Sequence, residues 1–130
     1  MPGRALVDSS FFIDRLRTGL DPLEELAAWS DEWEFLTCGV VQIEVLRGLK
    51  QKRAREHMAE FMECMLYVPT LNKVWERAGN LAWKLDREGK AMQVTDLLIA
   101  TCALEAEAAV LTFDSDFARV PGLRAISSLG

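Results

Sequence analysis

Apolar residues along this chain follow two rhythms: short unbroken runs, and longer stretches in which they return every three or four positions. The first rhythm marks buried strands and the second amphipathic helices. Ala5-Leu6-Val7 predicts a strand over residues 4–8. Phe11, Phe12, Ile13 and Leu16 predict a helix that stops near Gly19, a residue suited to ending one. Asp21-Pro22-Leu23-Glu24 then reads as a cap, a proline at the first helical position and an acid three residues past the cap. A second strand is expected over 34–38, closed by Gly39. The following helix, 40–49, is apolar nearly all round and should be buried on several sides. Another helix starts near residue 53, with Met58, Phe61, Met62 and Met65 at helical spacing, and leads to a third strand at 66–68. Leu71, Val74, Trp75, Ala78, Leu81 and Leu85 mark an amphipathic helix that runs out near Gly89. A helix opening at Thr95-Asp96, a fourth strand at 108–112 and an edge strand at 123–126 complete the pattern.

Strands alternating with helices imply a parallel sheet covered by helices on both faces. In such sheets ligands bind beyond the carboxyl ends of the strands, where the strand order reverses. Asp8 and Asp114 each fall just past the end of a strand, so they would face each other if the first and fourth strands were neighbours. That adjacency is left open at this point. Glu44 interrupts an apolar stretch, Asp96 opens a helix, and Asp116 follows Asp114 by two positions.

Each acid has a structural explanation. Asp96 suits the positive end of a helix, Asp114 and Asp116 suit a turn, and Asp8 suits a cap. Glu44 has Arg47 one turn on as a partner. Taken together the acids occupy positions able to converge, and a carboxylate cluster is costly unless a cation neutralises it. The pattern points to a metal site. Carboxylate oxygens favour Mg²⁺ or Mn²⁺, and no soft ligand set accompanies them.

Composition narrows the picture. Of 130 residues, 50% are hydrophobic and 27% charged, an ordinary balance for one folded domain spanning 1–130. No apolar stretch approaches the ~18 residues of a membrane span. Met1-Pro2-Gly3-Arg4 leads straight into the first strand without a leader pattern, so a cytoplasmic location is expected. Cys38, Cys64 and Cys102 lie in apolar contexts and read as reduced core residues. His57 reads as a solvent-facing helix residue. Trp75 and Trp83 are expected to pack against the protein and not to stack on bases, while Trp29 and Trp33 flank a loop. A net charge of −5 argues against generic polyanion binding but leaves room for nucleic acid at a metal-compensated site. The basic run 50–55, including Lys50, Lys52 and Arg53, is either a solvated face or a contact for phosphates at the rim of that site.

Four segments in order resemble a known family: 6–14 (LVDSSFFID), 41–49 (VQIEVLRGL), 96–104 (DLLIATCAL) and 110–117 (VLTFDSDF). Over the whole chain the set resembles a PIN-domain ribonuclease, specifically a VapC-type toxin of a toxin–antitoxin pair. The resemblance implies a three-layer α/β/α sandwich with a mainly parallel five-stranded sheet in which the first and fourth strands are neighbours. It implies an acidic catalytic pocket of Asp8, Glu44, Asp96 and Asp114, with Asp116 as the alternative fourth acid. One departure stands out: Val94-Thr95 precedes the third acid where the family often has a proline.

The division of labour that follows makes Asp8 the central ligand and Asp96 and Asp114 the completion of one metal site. Glu44 then binds a second metal or orients water. Ser9, Ser10 and Thr112 are expected to hold carboxylates or phosphate oxygens, and Arg47, Lys50, Lys52 and Arg53 to support the substrate. The reaction implied is Mg²⁺- or Mn²⁺-dependent hydrolysis of an RNA phosphodiester. The partners implied are RNA and a cognate antitoxin, with a homodimer as a further assembly and no membrane. The alternatives are an RNA-processing nuclease without a toxin role and a non-catalytic PIN module.

Overall fold

The structure, a computed structural model, describes residues 3–130; Met1 and Pro2, the start of the expected leaderless entry into the first strand, lie outside the described residues. Five parallel strands form the central sheet: β1 (Gly3–Val7), β2 (Trp33–Cys38), β3 (Leu66–Val68), β4 (Ala109–Leu111) and β5 (Ala125–Ile126). Their spatial order is β3-β2-β1-β4-β5, with Ala5, Leu6 and Val7 in register with Ala109, Val110 and Leu111. The first and fourth strands are neighbours, and the order reverses between them.

The helices are α1 (Ser9–Arg17), α2 (Pro22–Ala28), α3 (Gly39–Arg47), α4 (Lys52–Glu63), α5 (Asn72–Arg87) and α6 (Val94–Glu105). Right-handed crossovers that step along the sheet in opposite directions place their helices on opposite faces, which gives the three layers. Local signals act as expected at the ends. Asp21 accepts from the Leu23 and Glu24 N–H groups and Pro22 is the first residue of α2. Gly19 adopts φ +80°, and its own N–H and that of Leu20 donate to the carbonyls of Leu16 and Arg15, which closes α1. Gly89, at φ +71°, closes α5 in the same way.

Burial departs from the sequence reading at three places. The helix buried all round is α6, whose residues 97–103 are all buried between β1, β4 and α5. By contrast α3 buries only Val41 and Val45, and Ile43 is 66% exposed. Its neighbours are α1, α4, α6 and β2, and they leave much of its surface in solvent. The tryptophans are reversed. Trp75 and Trp83 are 53% and 63% exposed, whereas Trp29 and Trp33 pack against the core. Trp33 Nε1 donates to the Leu129 carbonyl at 2.9 Å and ties the chain's end to β2. Cys38 and Cys102 are buried thiols, but Cys64 is exposed just past α4, where its segment turns toward the short edge strand β3. His57 is exposed. Among the described residues no helix is long and apolar enough to cross a membrane.

Candidate metal centre

Asp8 follows β1 directly, and its backbone N–H donates to the Leu111 carbonyl at the end of β4. The carboxyl ends of the two strands are therefore pinned together, and the side chains that follow them share one crevice. Asp8 is 3% exposed. It precedes α1, but its side chain accepts no backbone N–H of the helix. Its Oδ2 instead accepts from Ser10 Oγ at 2.7 Å and from Thr112 Oγ1 at 2.8 Å.

Each hydroxyl has one proton, and both protons are spent on Asp8. The lone pairs of Ser10 and Thr112 accept in turn from the N–H groups of Phe113 (3.0 Å) and Asp114 (2.9 Å). The 3.2 Å approach of the two hydroxyls is thus a contact between two acceptors that share a carboxylate. This clamp fixes the Asp8 rotamer and links α1 to the loop after β4. Asp8 Oδ1, buried, has no partner; among the described residues only Thr37 Oγ1 shares that condition. An unpartnered buried carboxylate oxygen is expensive unless a cation meets it.

The other acids arrive from three elements. Asp96 lies in the first turn of α6, Asp114 just past β4, and Asp116 in the short 3₁₀ turn Ser115–Arg119. One carboxylate oxygen from each of Asp96, Asp114 and Asp116 lies within 4.8 Å of the others. Asp114 also caps its turn, accepting from the Asp116 N–H at 2.9 Å through Oδ1, so its reading as a turn residue holds. Asp116 pairs with Arg119 at 3.2 Å. Glu44 projects from α3 and accepts from Ser9 Oγ at 3.1 Å through Oε1.

The electrostatics follow from this convergence. Burial pushes the Asp96 carboxyl up to about 6, and the charges of Asp8, Asp114, Glu44 and Asp116 add to the effect. Burial also raises Glu44, opposed by the Ser9 hydrogen bond, with Asp8 raising it further and Arg47 lowering it. Arg47 acts only as a distant charge, because among the described residues it forms no ion pair with Glu44. Lys50, Lys52 and Arg53 are exposed at the start of α4, and Lys52 faces Glu56 at 3.9 Å. None of these basic residues joins the acid cluster. The converging donors, from Asp96, Asp114 and Asp116, are all carboxylate and suit a hard divalent cation; Asp8, with its orphaned Oδ1, is not part of that triplet but acts on Asp96 through its charge.

Sequence reasoning named the acids, Asp116 among them, and expected Ser10 and Thr112 to hold carboxylates; what it did not foresee is that both hydroxyls meet on the same oxygen of Asp8. It did not single out Phe113, whose ring rests on Phe11 and Arg15. The available signal was an aromatic residue standing between Thr112 and Asp114.

A profile of the PIN domain matches residues 5–123. By sequence, nothing among the curated proteins matches the chain. The fold is similar to that of VapBC2 from Rickettsia felis, solved bound to a DNA fragment from its promoter: TM-score 0.79, 19% identity, 95% of this chain and 97% of that one covered. DNA-bound VapBC from Salmonella typhimurium gives a TM-score of 0.76 at 18% identity, covering 97% and 98%. Mycobacterium tuberculosis VapC20, described as a sarcin-ricin loop cleaving toxin, gives 0.67 at 16% identity, covering 92% and 98%.

Proposed function

The chain belongs to the PIN-domain family, and on that premise we propose that it is an endoribonuclease dependent on Mg²⁺ or Mn²⁺, acting as the toxin of a toxin–antitoxin pair. The observation that supports catalysis best is the crevice at the β1–β4 reversal. There a clamped Asp8 offers one unpartnered oxygen, and Asp96, Asp114 and Asp116 converge within 4.8 Å. The solved relatives that are toxin–antitoxin complexes support an antitoxin partner for this chain. The reading also includes a cytoplasmic setting and one domain over 1–130.

Asp8, Asp96 and Asp114 would hold the cation, with Asp116 beside them. When bound, such an ion lowers the pKa of an attacking water and neutralises charge that builds on the phosphoryl oxygens. The chain's own residues do the rest. Ser10 and Thr112 keep Asp8 in one orientation, so no reorganisation is needed at the moment of reaction. Asp96, raised only to about 6, is mostly ionised near neutral pH and would offer its carboxylate to the cation, which would relieve its repulsion with the neighbouring acids. Glu44 is steadied by Ser9 at Oε1, which leaves Oε2 free to take a proton from water entering the crevice. Arg47, Lys50 and Arg53, exposed between the end of α3 and the start of α4, are suited in chemistry to phosphates on either side of the cut.

An RNA cleavage assay with Mg²⁺, Mn²⁺ or excess EDTA, on wild type and Asp8→Asn, tests this reading. Cleavage should need the metal and nearly vanish in the variant. Undiminished cutting in EDTA would overturn it.

A further inference from the structure

Phe113 stands between two members of the acid network and belongs to neither. Thr112 before it holds Asp8, and Asp114 after it is one of the converging acids. Its ring is 39% exposed, although a phenylalanine gains most by burial. The ring is nevertheless fixed. Its backbone N–H donates to Ser10 Oγ, and it stacks on buried Phe11 with centroids 5.8 Å apart and planes inclined by 29°. The Arg15 guanidinium lies 4.8 Å from its centroid. Arg15 is already neutralised by Glu25 at 2.8 Å and Asp14 at 3.1 Å, so it steadies the ring and is no free anchor for phosphate. Phe113 lines an open hollow of about 290 Å³ at the ends of β4 and β5, shared with Ser115, Ser127 and the small side chains of Ala118 and Ala125.

We propose that this hollow is a nucleobase subsite. In an RNA whose scissile phosphate lies at the acids, one neighbouring base enters the hollow, stacks on Phe113 and meets the hydroxyls of Ser115 and Ser127. The inference rests on reading the acids as a ribonuclease centre. Three considerations converge on it. Bases of single-stranded RNA splay out and stack on aromatic side chains, whatever their identity. At a net charge of −5 the chain has little general attraction for a polyanion, so uncharged contacts to the bases would add to the few phosphate contacts available. Hydroxyls both donate and accept, so they suit the mixed polar edge of a base. The anchoring of Phe113 to Ser10 also ties the position of the base to the clamp on Asp8.

The test uses the full chain carrying Asp8→Asn, which prevents cutting, and short single-stranded RNAs with 2-aminopurine at successive positions. Fluorescence should be quenched on binding at one position. Adding Phe113→Leu, which keeps an apolar contact with Phe11 but no ring, should remove that quench and weaken binding about tenfold. Phe113→Trp should restore both, and Ala118→Leu, which narrows the hollow, should act like Phe113→Leu; melting curves confirm that each variant folds. In the cleavage-competent chain, Phe113→Leu should raise KM more than it lowers kcat and flatten the base preference at one position of the mapped cuts. Unchanged quench and unchanged cut profile in both Phe113→Leu and Ala118→Leu would overturn the subsite while leaving the nuclease standing. A quench that depends on Phe113 in a chain whose wild type cuts no RNA would uphold the subsite and overturn the nuclease reading.

Discussion

Replacing Asp96 by Asn should make the metal-free protein more stable near neutral pH, and the structure supplies the size of the effect. The displacement of its pKa from 3.8 to about 6 corresponds to ~3 kcal/mol of penalty for the charged form. The side chain is only half buried, so solvent screening reduces this to ~1–2 kcal/mol. Asn also gives up the favourable interaction of a carboxylate with the first turn of α6, ~0.3–1 kcal/mol, which leaves a net gain near ~1 kcal/mol. For a chain of this size that is a rise in Tm of about 4 °C. The sign follows from proton linkage. A carboxyl whose folded-state pKa is raised binds its proton more tightly when folded, so wild-type stability falls as pH climbs from 3.8 through about 6. The advantage of Asp96→Asn should therefore be absent below 3.8, grow across that window and level off above about 6.

Thermal melts in EDTA at both ends of the window measure this directly. Repeating them with Mg²⁺ or Mn²⁺ should show wild type rising, because the cation binds the folded crevice and hardly binds the unfolded chain, with the variant rising much less. A variant that is less stable than wild type near neutral pH without metal, and equally stabilised by metal, would refute the reasoning. Asp96 would then be a helix-terminus residue with no part in a metal site. Asp114→Asn is a poorer probe, because Asp114 also caps the turn that carries Asp116.

Thr112→Val keeps the shape of a buried side chain but removes a donor to Asp8 and an acceptor for the Asp114 N–H; it should cost ~1–3 kcal/mol of stability and depress cleavage, read by melts and by initial rates. Asp8→Asn and Asp96→Asn should each abolish nearly all metal-dependent RNA cleavage, whereas Trp83→Ala, on an exposed face, should leave it within a few-fold. Expression of the wild-type chain alone should arrest growth, with relief by a cognate antitoxin that covers the crevice; normal growth despite abundant, cleavage-competent protein would remove the toxin role and spare the nuclease.

Much of this molecule is written locally. The rhythm of apolar residues set out the strands and helices, because a strand or helix is a repeat of contacts over a few positions. Asp21, Pro22, Gly19 and Gly89 marked helix ends for the same reason: a cap needs only its own turn. The acids were legible as polar residues at the ends of apolar runs, and their family-like order anticipated the β1–β4 adjacency. Burial was less legible, because it depends on what lies opposite. Ile43 and Trp83 carry the same apolar signal as Val45 and Leu85, and only the placement of α3 and α5 in the layers leaves the first pair in solvent and the second in the core. The site's decisive features are longer in range still. Ser10 and Thr112, 102 positions apart, meet on one carboxylate oxygen and leave the other without a partner. Asp96 acquires its raised pKa from burial and from four charges on three other segments. No window of sequence contains such a meeting, since it exists only once the sheet has brought the strand ends together.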